Sequence, residues 1–255
     1  WNTFLGSASL LRSRYRIFKK KYDVDVIFLR KQNGALSPLK GFNVNIGEIN
    51  KKTQKQFYDF ISKQKYKAVY CDYSFFWPLI CNLPRETKKI LEMHDVLHLR
   101  TDAFKKYGYK APFNANKNSE INQLENYDYV ISLSEFETKY LNNCGLNNVI
   151  TIPPTIEKVK KSLIPNKYTC GVIGSQAIPN VDGINLFFKS YKSNKPIITA
   201  GSIFNGIDKN QRYKFKNLGL LSSLDVFFNQ ISVTAIPVRF GAGLKVKVFD
   251  SIVNS

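Results

Sequence analysis

Residues 241–250 have the types and spacing of an anion-binding corner. Gly241 and Gly243 flank Ala242, and glycines allow a tight turn and a close approach of the backbone to a ligand. The apolar segment 233–238 has the alternating, branched pattern of a strand that leads into this turn. The predicted helix that follows carries two lysines and an acid: Lys245, Lys247 and Asp250. Free amides at a helix start attract negative charge, so this order of parts predicts a site for an elongated anion such as a nucleotide-sugar.

A structural interpretation of the same residues stays open. Glycines between a strand and a helix often serve the turn alone, and the lysines of the helix then face solvent. The two interpretations differ in whether the corner borders an open cleft, which depends on how the rest of the chain packs around it.

The chain has two histidines, His94 and His98, and both are candidates for chemistry. Their i, i+4 spacing would suit two metal ligands on one helix face, but no third ligand is apparent, so we expect no metal. Segment 89–93 instead has a strand pattern, which delivers His94 and Asp95 to its carboxyl end. His94 is therefore predicted either to contact a ligand or to be a loop histidine satisfied by its neighbours.

Strand and helix patterns alternate along the first part of the chain. Ser134 with Glu137 three residues later forms a capping box that opens one of these helices, and Gly145 ends it. Helices are predicted at 10–21, 53–63, 119–125 and 134–141, and strands at 24–29, 68–71, 89–93, 127–133 and 148–152.

A double proline at 153–154 and a lysine-rich run at 157–167 mark a linker, after which the alternation restarts. Strands are predicted at 170–174, 196–200, 217–221 and 233–238, and helices at 181–192 and 224–230. This pattern predicts an α/β protein with two Rossmann-like domains, whose parallel sheets face each other across a cleft. Ligands of such folds bind at the carboxyl ends of strands, so the cleft is the expected site.

We place the N-terminal, acceptor-side domain at residues 1–154, the linker at 155–168 and the C-terminal domain at 169–255. The chain has no initiator Met, and residues 252–255 fall within a predicted helix. We therefore expect a fragment whose C-terminal domain is incomplete.

The composition is that of a globular protein in a reducing compartment. A hydrophobic share of 44% in 255 residues supplies enough apolar surface for real cores, which excludes a disordered chain. The four cysteines lie far apart with no C-x-x-C pair, which argues against a zinc cluster or a disulfide scaffold and favours the cytoplasm. They are Cys71, Cys81, Cys144 and Cys170. No apolar run approaches the roughly 20 residues that cross a bilayer.

The formal net charge of +19 predicts anionic partners, which include phosphorylated substrates, an anionic membrane surface and nucleic acid. The lysines are spread along the chain without a zinc-finger or RNP-like motif, so nucleic-acid binding is the least favoured of the three. The cationic helical segments 10–21 and 53–67 would suit an anionic membrane surface, with solvated helix faces as the alternative. The composition of an AT-rich genome would produce the same charge without any partner.

Four segments, set in order, resemble the GT-B-fold glycosyltransferases, and in particular the retaining family called group 1 glycosyl transferases. They are 127–135, 149–154, 171–175 with 179–183, and 237–250. The resemblance implies transfer of a sugar from a nucleotide-sugar, held mainly by the C-terminal domain, to a glycan or lipid-linked acceptor. It implies no cofactor and no metal, because positive side chains and helix amides stabilise the leaving nucleoside diphosphate. The implied location is the cytoplasm, with peripheral contact to the membrane.

The resemblance also implies roles for individual residues of the C-terminal half. The turn 241–243 and Leu244 fall beside the donor sugar and diphosphate, and the residues that neutralise phosphate charge are Arg239, Lys245 and Lys247. Asp250 stands where the family usually has a glutamate that binds the ribose hydroxyls. The backbone of Leu218, Gly219 and Leu220 matches the segment that reads the nucleobase, with a tight turn as the structural alternative.

The chain departs from the family at several of the matching positions. Ala242 replaces a glutamate that touches the donor sugar, so backbone amides must take over that role. The strand end at Gly174 is followed by Ser175 and Asn180 where many members have an arginine and a lysine that clamp the diphosphate. These departures leave open a second function, a nucleotide-sugar-binding module that has lost turnover.

The resemblance implies roles in the first half as well. His94 falls near the reacting sugar, where it would orient a donor hydroxyl or share in proton handling, and Asp95 is a second polar candidate at the same strand end. Gly6 and Ser7 match a loop that usually follows the first strand and approaches the donor phosphates. No protein nucleophile is implied.

Overall fold

The computed structural model describes residues 6–26, 49–155 and 170–253 of the 255-residue chain. These residues form two four-stranded sheets in which every strand pair is parallel. Helices connect the strands, so the predicted α/β class with parallel sheets is confirmed. Each sheet packs against its own clusters of buried apolar side chains.

The first sheet has the strand order β1-β2-β3-β4. Its strands are β1 (Ala68–Asp72), β2 (Lys88–Met93), β3 (Tyr129–Ser132) and β4 (Val149–Thr151). The helices of this half are α1 (Gly6–Lys19), α2 (Lys51–Gln64), α3 (Trp77–Ile80), α4 (Leu97–Lys106), α5 (Lys117–Leu124) and α6 (Glu135–Asn143). Because neighbouring strands are parallel, their carboxyl ends line up along one edge of the sheet.

Strand β2 is buried on both faces. Leu91, Glu92 and Met93 are all almost fully buried, and successive side chains of a strand point to opposite faces. A carboxylate in such a place needs a partner, and the Arg14 guanidinium of α1 donates from Nε to Glu92 Oε2 over 3.0 Å. Arg14 also donates from Nη2 to the carbonyl of Ile152 over 2.8 Å, which fixes α1 to the sheet.

The start of α6 confirms the predicted cap and shows how its acid is used. The Ser134 hydroxyl accepts a hydrogen bond from the Glu137 amide. The Glu137 carboxylate, however, accepts from the Ser134 hydroxyl and from the Val96 amide, not from the Ser134 amide as in a capping box. It therefore ties α6 to the loop that follows β2. Gly145 ends this helix with a φ of 97°, as predicted.

The second sheet has the strand order β7-β6-β5-β8. Its strands are β5 (Cys170–Ile173), β6 (Ile197–Ala200), β7 (Phe215–Asn217) and β8 (Val233–Thr234). Its helices are α7 (Ile178–Ser190), α8 (Asp225–Phe228) and α9 (Val246–Val253), with 3₁₀ turns at Ser202–Gly206 and Lys209–Lys214. The strand order reverses direction beside β5. Ligands of such sheets usually bind in the crevice beyond the carboxyl ends of the strands at this point of reversal.

Three of the predicted elements are wrong in part. The strand predicted at 217–221 ends at Asn217, because the Asn217 side chain accepts from the Gly219 amide and Gly219 turns the chain with a φ of 67°. The strand predicted at 233–238 pairs only at Val233–Thr234, and Pro237 lacks the amide that would continue the ladder. The loop predicted at Gly6 and Ser7 is the first turn of α1.

Other predictions fall partly outside the described residues. Residues 24–26 have no regular structure and 27–29 are not described, so the strand predicted at 24–29 is not found in the part that is seen. The linker predicted at 155–168 lies outside the described residues apart from Thr155, and the domain limits stay predictions. None of the helices in the described ranges is long and apolar enough to cross a membrane.

Candidate functional site

The glycine corner of the second half lies directly against the end of β2 in the first half. Gly243 has a φ of 75°, and a Cβ atom placed on it would lie 2.3 Å from the His94 carbonyl oxygen and 2.9 Å from Asp95 Cβ. Only glycine fits such a contact without displacing the backbone. The two segments that the sequence singled out for chemistry are therefore brought together.

The corner is shaped by Lys245. Its ammonium group donates to the carbonyl oxygens of Ala242 over 2.9 Å and Gly243 over 3.1 Å, so these carbonyls turn towards the lysine. Burial lowers the pKa of Lys245, and the charges of Asp95 and Glu137 act in the opposite direction. The ammonium group thus bonds within its own loop and is influenced by the charges of two carboxylates of the first half.

Lys247 lies in a different environment. Its ammonium group donates to Asn180 Oδ1 over 2.5 Å, and Asn180 Nδ2 in turn donates to the Ser175 carbonyl over 3.0 Å. Two effects lower the pKa of Lys247 to about 8: the larger is burial, and the smaller is the charge of Lys245. The amine therefore lies beside Asn180 and Ser175, close to the end of β5.

Arg239 is not aimed at the corner. Its guanidinium makes two hydrogen bonds of 2.8 Å to the two carboxylate oxygens of Asp182 in α7, and it lies over the Tyr107 ring. The Tyr109 hydroxyl donates to the same carboxylate over 2.9 Å. Asp182 thus occupies the edge of the guanidinium formed by Nε and Nη2, and the predicted role of Arg239 towards phosphate stays a prediction.

His94 belongs to a pair that sequence reasoning missed. Its Nε2 lies 2.5 Å from Oδ1 of Asp72, which ends the neighbouring strand β1. The Tyr73 ring stacks on the imidazole with centroids 4.3 Å apart, and Tyr73 itself has a φ of 82°. The signal was present in the sequence, since Asp72 is the first polar residue after the predicted strand at 68–71.

The electrostatic surroundings of His94 favour the imidazolium. Burial acts to lower the pKa of His94, but the hydrogen bond and charge of Asp72 and the charges of Glu92 and Asp95 outweigh it, so the pKa is raised. The group can therefore carry a positive charge beside the corner, where negative charge of a ligand would be expected.

Asp95 and His98 have structural partners. Asp95 accepts from Arg100 Nη1 over 2.8 Å. His98 lies buried in α4 between the Glu120 carboxylate and the Tyr140 hydroxyl, with contacts of 2.6 and 2.7 Å. His98 therefore serves packing within the first half rather than the corner. Among the described residues, no group of three or more His, Cys, Asp or Glu side chains comes together to hold a metal ion.

The remaining predicted residues line the ends of β5, β6 and β7. A Cβ on Gly201 would lie 2.3 Å from the Gly174 carbonyl oxygen, which brings these two strand ends into contact. The Gly201 amide donates to the Gly219 carbonyl over 2.7 Å, and Leu220 beside it is exposed. Asp250 lies on α9, where burial raises its pKa. The turn at 218–220 thus lies against the carboxyl end of β6.

These features decide the fold class. Two parallel Rossmann-like sheets meet where the corner of one packs on a strand end of the other. The fold is GT-B.

Solved structures support this assignment at low sequence identity. TarM matches with a TM-score of 0.61 at 15% identity, over 79% of this chain and 43% of that chain. HepE from Anabaena, in complex with UDP and glucose, matches with a TM-score of 0.66 at 10% identity, over 99% of this chain and 75% of that chain. Sucrose-phosphate synthase from Thermosynechococcus elongatus has a TM-score of 0.65 at 13% identity, over 92% of this chain and 71% of that chain. These similarities establish the fold alone.

The chain spans less than half the length of TarM. A TarM mutant from S. aureus with the same coverage was solved with Fondaparinux, alpha-GlcNAc-glycerol and UDP. No protein-family model and no curated protein sequence matches this chain.

Proposed function

We propose that this protein is a glycosyltransferase that moves a sugar from a nucleotide-sugar to a glycan or lipid-linked acceptor, with retention and without a metal. The observation that carries the proposal is the contact of Gly243 with the His94 carbonyl, which sets an anion corner against a polar strand end. The solved structures with UDP bound in the same fold are consistent with a nucleoside diphosphate in this crevice.

The donor would lie along the crevice of the second sheet. The amides of residues 241–244 and the Lys247 ammonium would hold the diphosphate, and Asp250 would accept from the ribose hydroxyls. The turn at 218–220 would border the base. Because Ala242 provides no carboxylate, the sugar would be oriented by backbone amides of the corner and by groups of the first half.

His94 would face the sugar at the point of transfer. The bond between the anomeric carbon and the diphosphate oxygen would break as an acceptor hydroxyl oxygen bonds to the same carbon. Negative charge would develop on the leaving diphosphate, whose oxygen would accept the proton of the acceptor hydroxyl. An imidazolium supported by Asp72 would stabilise that charge or hold a sugar hydroxyl. Asp95, paired with Arg100, would keep the strand end in place.

The first test is binding of a nucleoside diphosphate. UDP, GDP, ADP, CDP and dTDP are added separately to the protein, and the melting temperature is followed. One of them is expected to raise it, because a ligand at 100 times its Kd stabilises the folded state by about 2.7 kcal/mol. If none of the five shifts the melting temperature, the proposal is wrong.

The second part of the test asks for turnover. The matching nucleotide-sugar is incubated with a panel of glycans and with lipid-linked acceptors in anionic vesicles, since α1 and α2 carry exposed lysines that would suit such a surface. Mass spectrometry is expected to detect the extended acceptor. Donor binding without transfer to any acceptor would instead favour a binding module.

A further inference from the structure

A groove of about 440 Å³ runs along the surface of α7, where the two halves of the protein meet. Tyr109 of the first half and Arg239 of the second border it next to Asp182. Lys189 borders it two helical turns further along α7. Its volume lies within the roughly 300–1,000 Å³ that are usual for small-molecule sites. We call it the α7 groove.

The spacing of residues in α7 explains why this face of the helix is open. Asp182, Leu186 and Lys189 recur at steps of four and three residues, which places them on one face. Ile184 lies on the opposite face and is fully buried in the core of the second sheet. On the groove face, Leu186 is 45% exposed and Ile178 is 38% exposed. The α7 groove therefore offers apolar contact area beside its charged groups.

The charges of the α7 groove are not balanced. Among the described residues that line it, Asp182 is the one acid, and its carboxylate accepts from Arg239 and from the Tyr109 hydroxyl. Lys189 is exposed and lies about 10 Å further along the helix axis, so Asp182 does not neutralise it. The protein as a whole has a formal net charge of +19. The electrostatic complement of the α7 groove is therefore an anion.

The lining of the α7 groove suits a sugar ring that carries this negative charge. The Tyr109 ring and the exposed aliphatic side chains can lie against the C–H groups of a pyranose face. The amide of Gln176, which also lines the groove, can bond to sugar hydroxyls. A small inorganic anion would leave the apolar area unused, and an acyl chain would desolvate the charged groups. An acidic sugar uses both kinds of contact.

The α7 groove is within reach of the expected point of transfer. Arg239 precedes Gly243 by four residues, so their Cα atoms are at most about 15 Å apart. Gly243 in turn packs on the carbonyl of His94. A chain of a few sugar units covers such a distance.

We propose that the α7 groove binds an acidic oligosaccharide and is the outer subsite for the acceptor chain. This rests on the proposed glycosyltransferase function. The sugar unit beside His94 receives the transferred sugar, and an acidic unit further along the same chain lies against Tyr109 and Leu186, with Lys189 next to its negative charge. The acceptor is then a charged glycan of several units.

The experiment compares acidic and neutral chains of equal length. Hyaluronan oligosaccharides of two, four and six sugar units, and chitin oligosaccharides of the same lengths, are titrated into the protein by calorimetry. The acidic hexasaccharide is expected to bind at least about tenfold more tightly than the acidic disaccharide, because only the longer chain occupies both subsites. It should also bind more tightly than the neutral hexasaccharide, because of Lys189.

Two variants test the α7 groove, each with a matched control. Lys189→Glu should weaken binding of the acidic hexasaccharide about fivefold or more, whereas Lys63→Glu, also in the last turn of a helix and exposed, should leave it unchanged. Leu186→Ala should weaken it by a few fold, whereas Val226→Ala on α8, equally exposed, should not. All four side chains are exposed, so the variants should fold, which circular dichroism melting establishes.

Transfer kinetics separate the inference from the proposed function. With a long acidic acceptor, Lys189→Glu should raise the KM for the acceptor and leave kcat and the KM for the donor unchanged. The inference is wrong if chain length or acidity has no effect on binding, or if Lys189→Glu and Lys63→Glu weaken binding equally. The proposed function then stands as long as a nucleoside diphosphate binds and a sugar is transferred. If neither occurs, the proposed function and the acceptor role of the α7 groove are both wrong.

Discussion

At the scale of single residues, the chemistry of the site depends on which charges are already neutralised. His94 and Asp72 form a pair at the ends of adjacent strands, and the ring of Tyr73 covers the imidazole. In this pair the Asp72 carboxylate orients the imidazole of His94 and favours its protonated form. A protonated imidazole is suited to stabilise a leaving anion. The contribution of this pair to the free energy of unfolding should depend on pH in a defined direction, because the pKa of His94 is raised in the folded protein.

Asp72→Asn tests this pair. The amide keeps the shape but removes the charge, so the pKa of His94 should fall, which the NMR titration of its ring protons measures. A raised histidine pKa stabilises the fold below the unfolded pKa, and this contribution is lost as pH rises through the folded pKa. The free energy of unfolding of wild-type protein should therefore decline over that range, and in Asp72→Asn the decline should be smaller.

Activity separates a positioning role for Asp72 from a purely structural one. His94→Ala is expected to lower kcat by about a hundredfold or more. Asp72→Asn should lower kcat less and shift the pH profile of kcat in the same direction as the pKa of His94. An unchanged pH profile in Asp72→Asn would argue against the pair.

At the scale of elements, glycines set the distance between segments. Gly183 lies in the middle of α7, where a Cβ would lie 1.6 Å from the carbonyl oxygen of Pro237, so the helix packs on the backbone of the segment that leads to the corner. Gly243 likewise lets the corner pack on the backbone of His94, directly after β2. The positions of the corner and of the segment before it therefore depend on backbone contacts that any side chain would disrupt.

Gly243→Ala should separate the corner from β2. The new methyl group collides with the His94 carbonyl, and a φ of 75° is unfavourable for alanine, so we expect a loss of roughly 1–3 kcal/mol in the free energy of unfolding. Binding of the nucleoside diphosphate identified by the melting test should weaken as well. Gly145→Ala is the matched control, because Gly145 also has a positive φ but no atom within 4 Å of its Cβ position. It should cost only the backbone strain, about 1 kcal/mol, and leave binding of that nucleoside diphosphate unchanged. Equal effects on binding would contradict the assignment.

At the scale of the whole molecule, an aromatic cluster joins the two halves next to the corner. Phe240 is buried, and its ring stacks with Tyr107 at 4.7 Å and with Tyr109 at 5.3 Å. The ion pair of Arg239 with Asp182 lies beside this cluster, and Tyr109 bonds the same carboxylate. Because Phe240 immediately precedes Gly241, this contact holds the corner against the first half.

Phe240→Ala should loosen the contact between the halves. Truncation of a buried phenylalanine costs about 3–5 kcal/mol, and small-angle scattering should show a larger radius of gyration if the halves move apart. Binding of the nucleoside diphosphate should weaken as well. Phe136→Ala is the control, because Phe136 is 73% exposed and its removal is expected to change stability by less than about 0.5 kcal/mol. Similar stability and scattering for the two variants would refute the role of the cluster.

Much of the fold was predictable because local patterns agreed with it. Among the described residues, apolar periodicity located six of the eight strands closely. The pairing at Val233–Thr234 was overestimated in length, and the strand at Phe215–Asn217 was predicted to begin two residues too late. The Ser134 cap and the Gly145 stop follow from local chemistry. The turn after Asn217 was missed because a polar side chain, not the apolar pattern, ends that strand.

The sequence by itself indicated most of the strands and several of the helices, and it selected the glycine corner, His94 and the lysines as candidates. Only the tertiary structure decided that the corner meets the end of β2, that Asp72 pairs with His94, and that Arg239 is bound by Asp182. The reason is physical: backbone propensity and periodicity act over a few residues. Charge neutralisation and close approach depend on partners that are far apart in the chain and become neighbours only when the sheets pack.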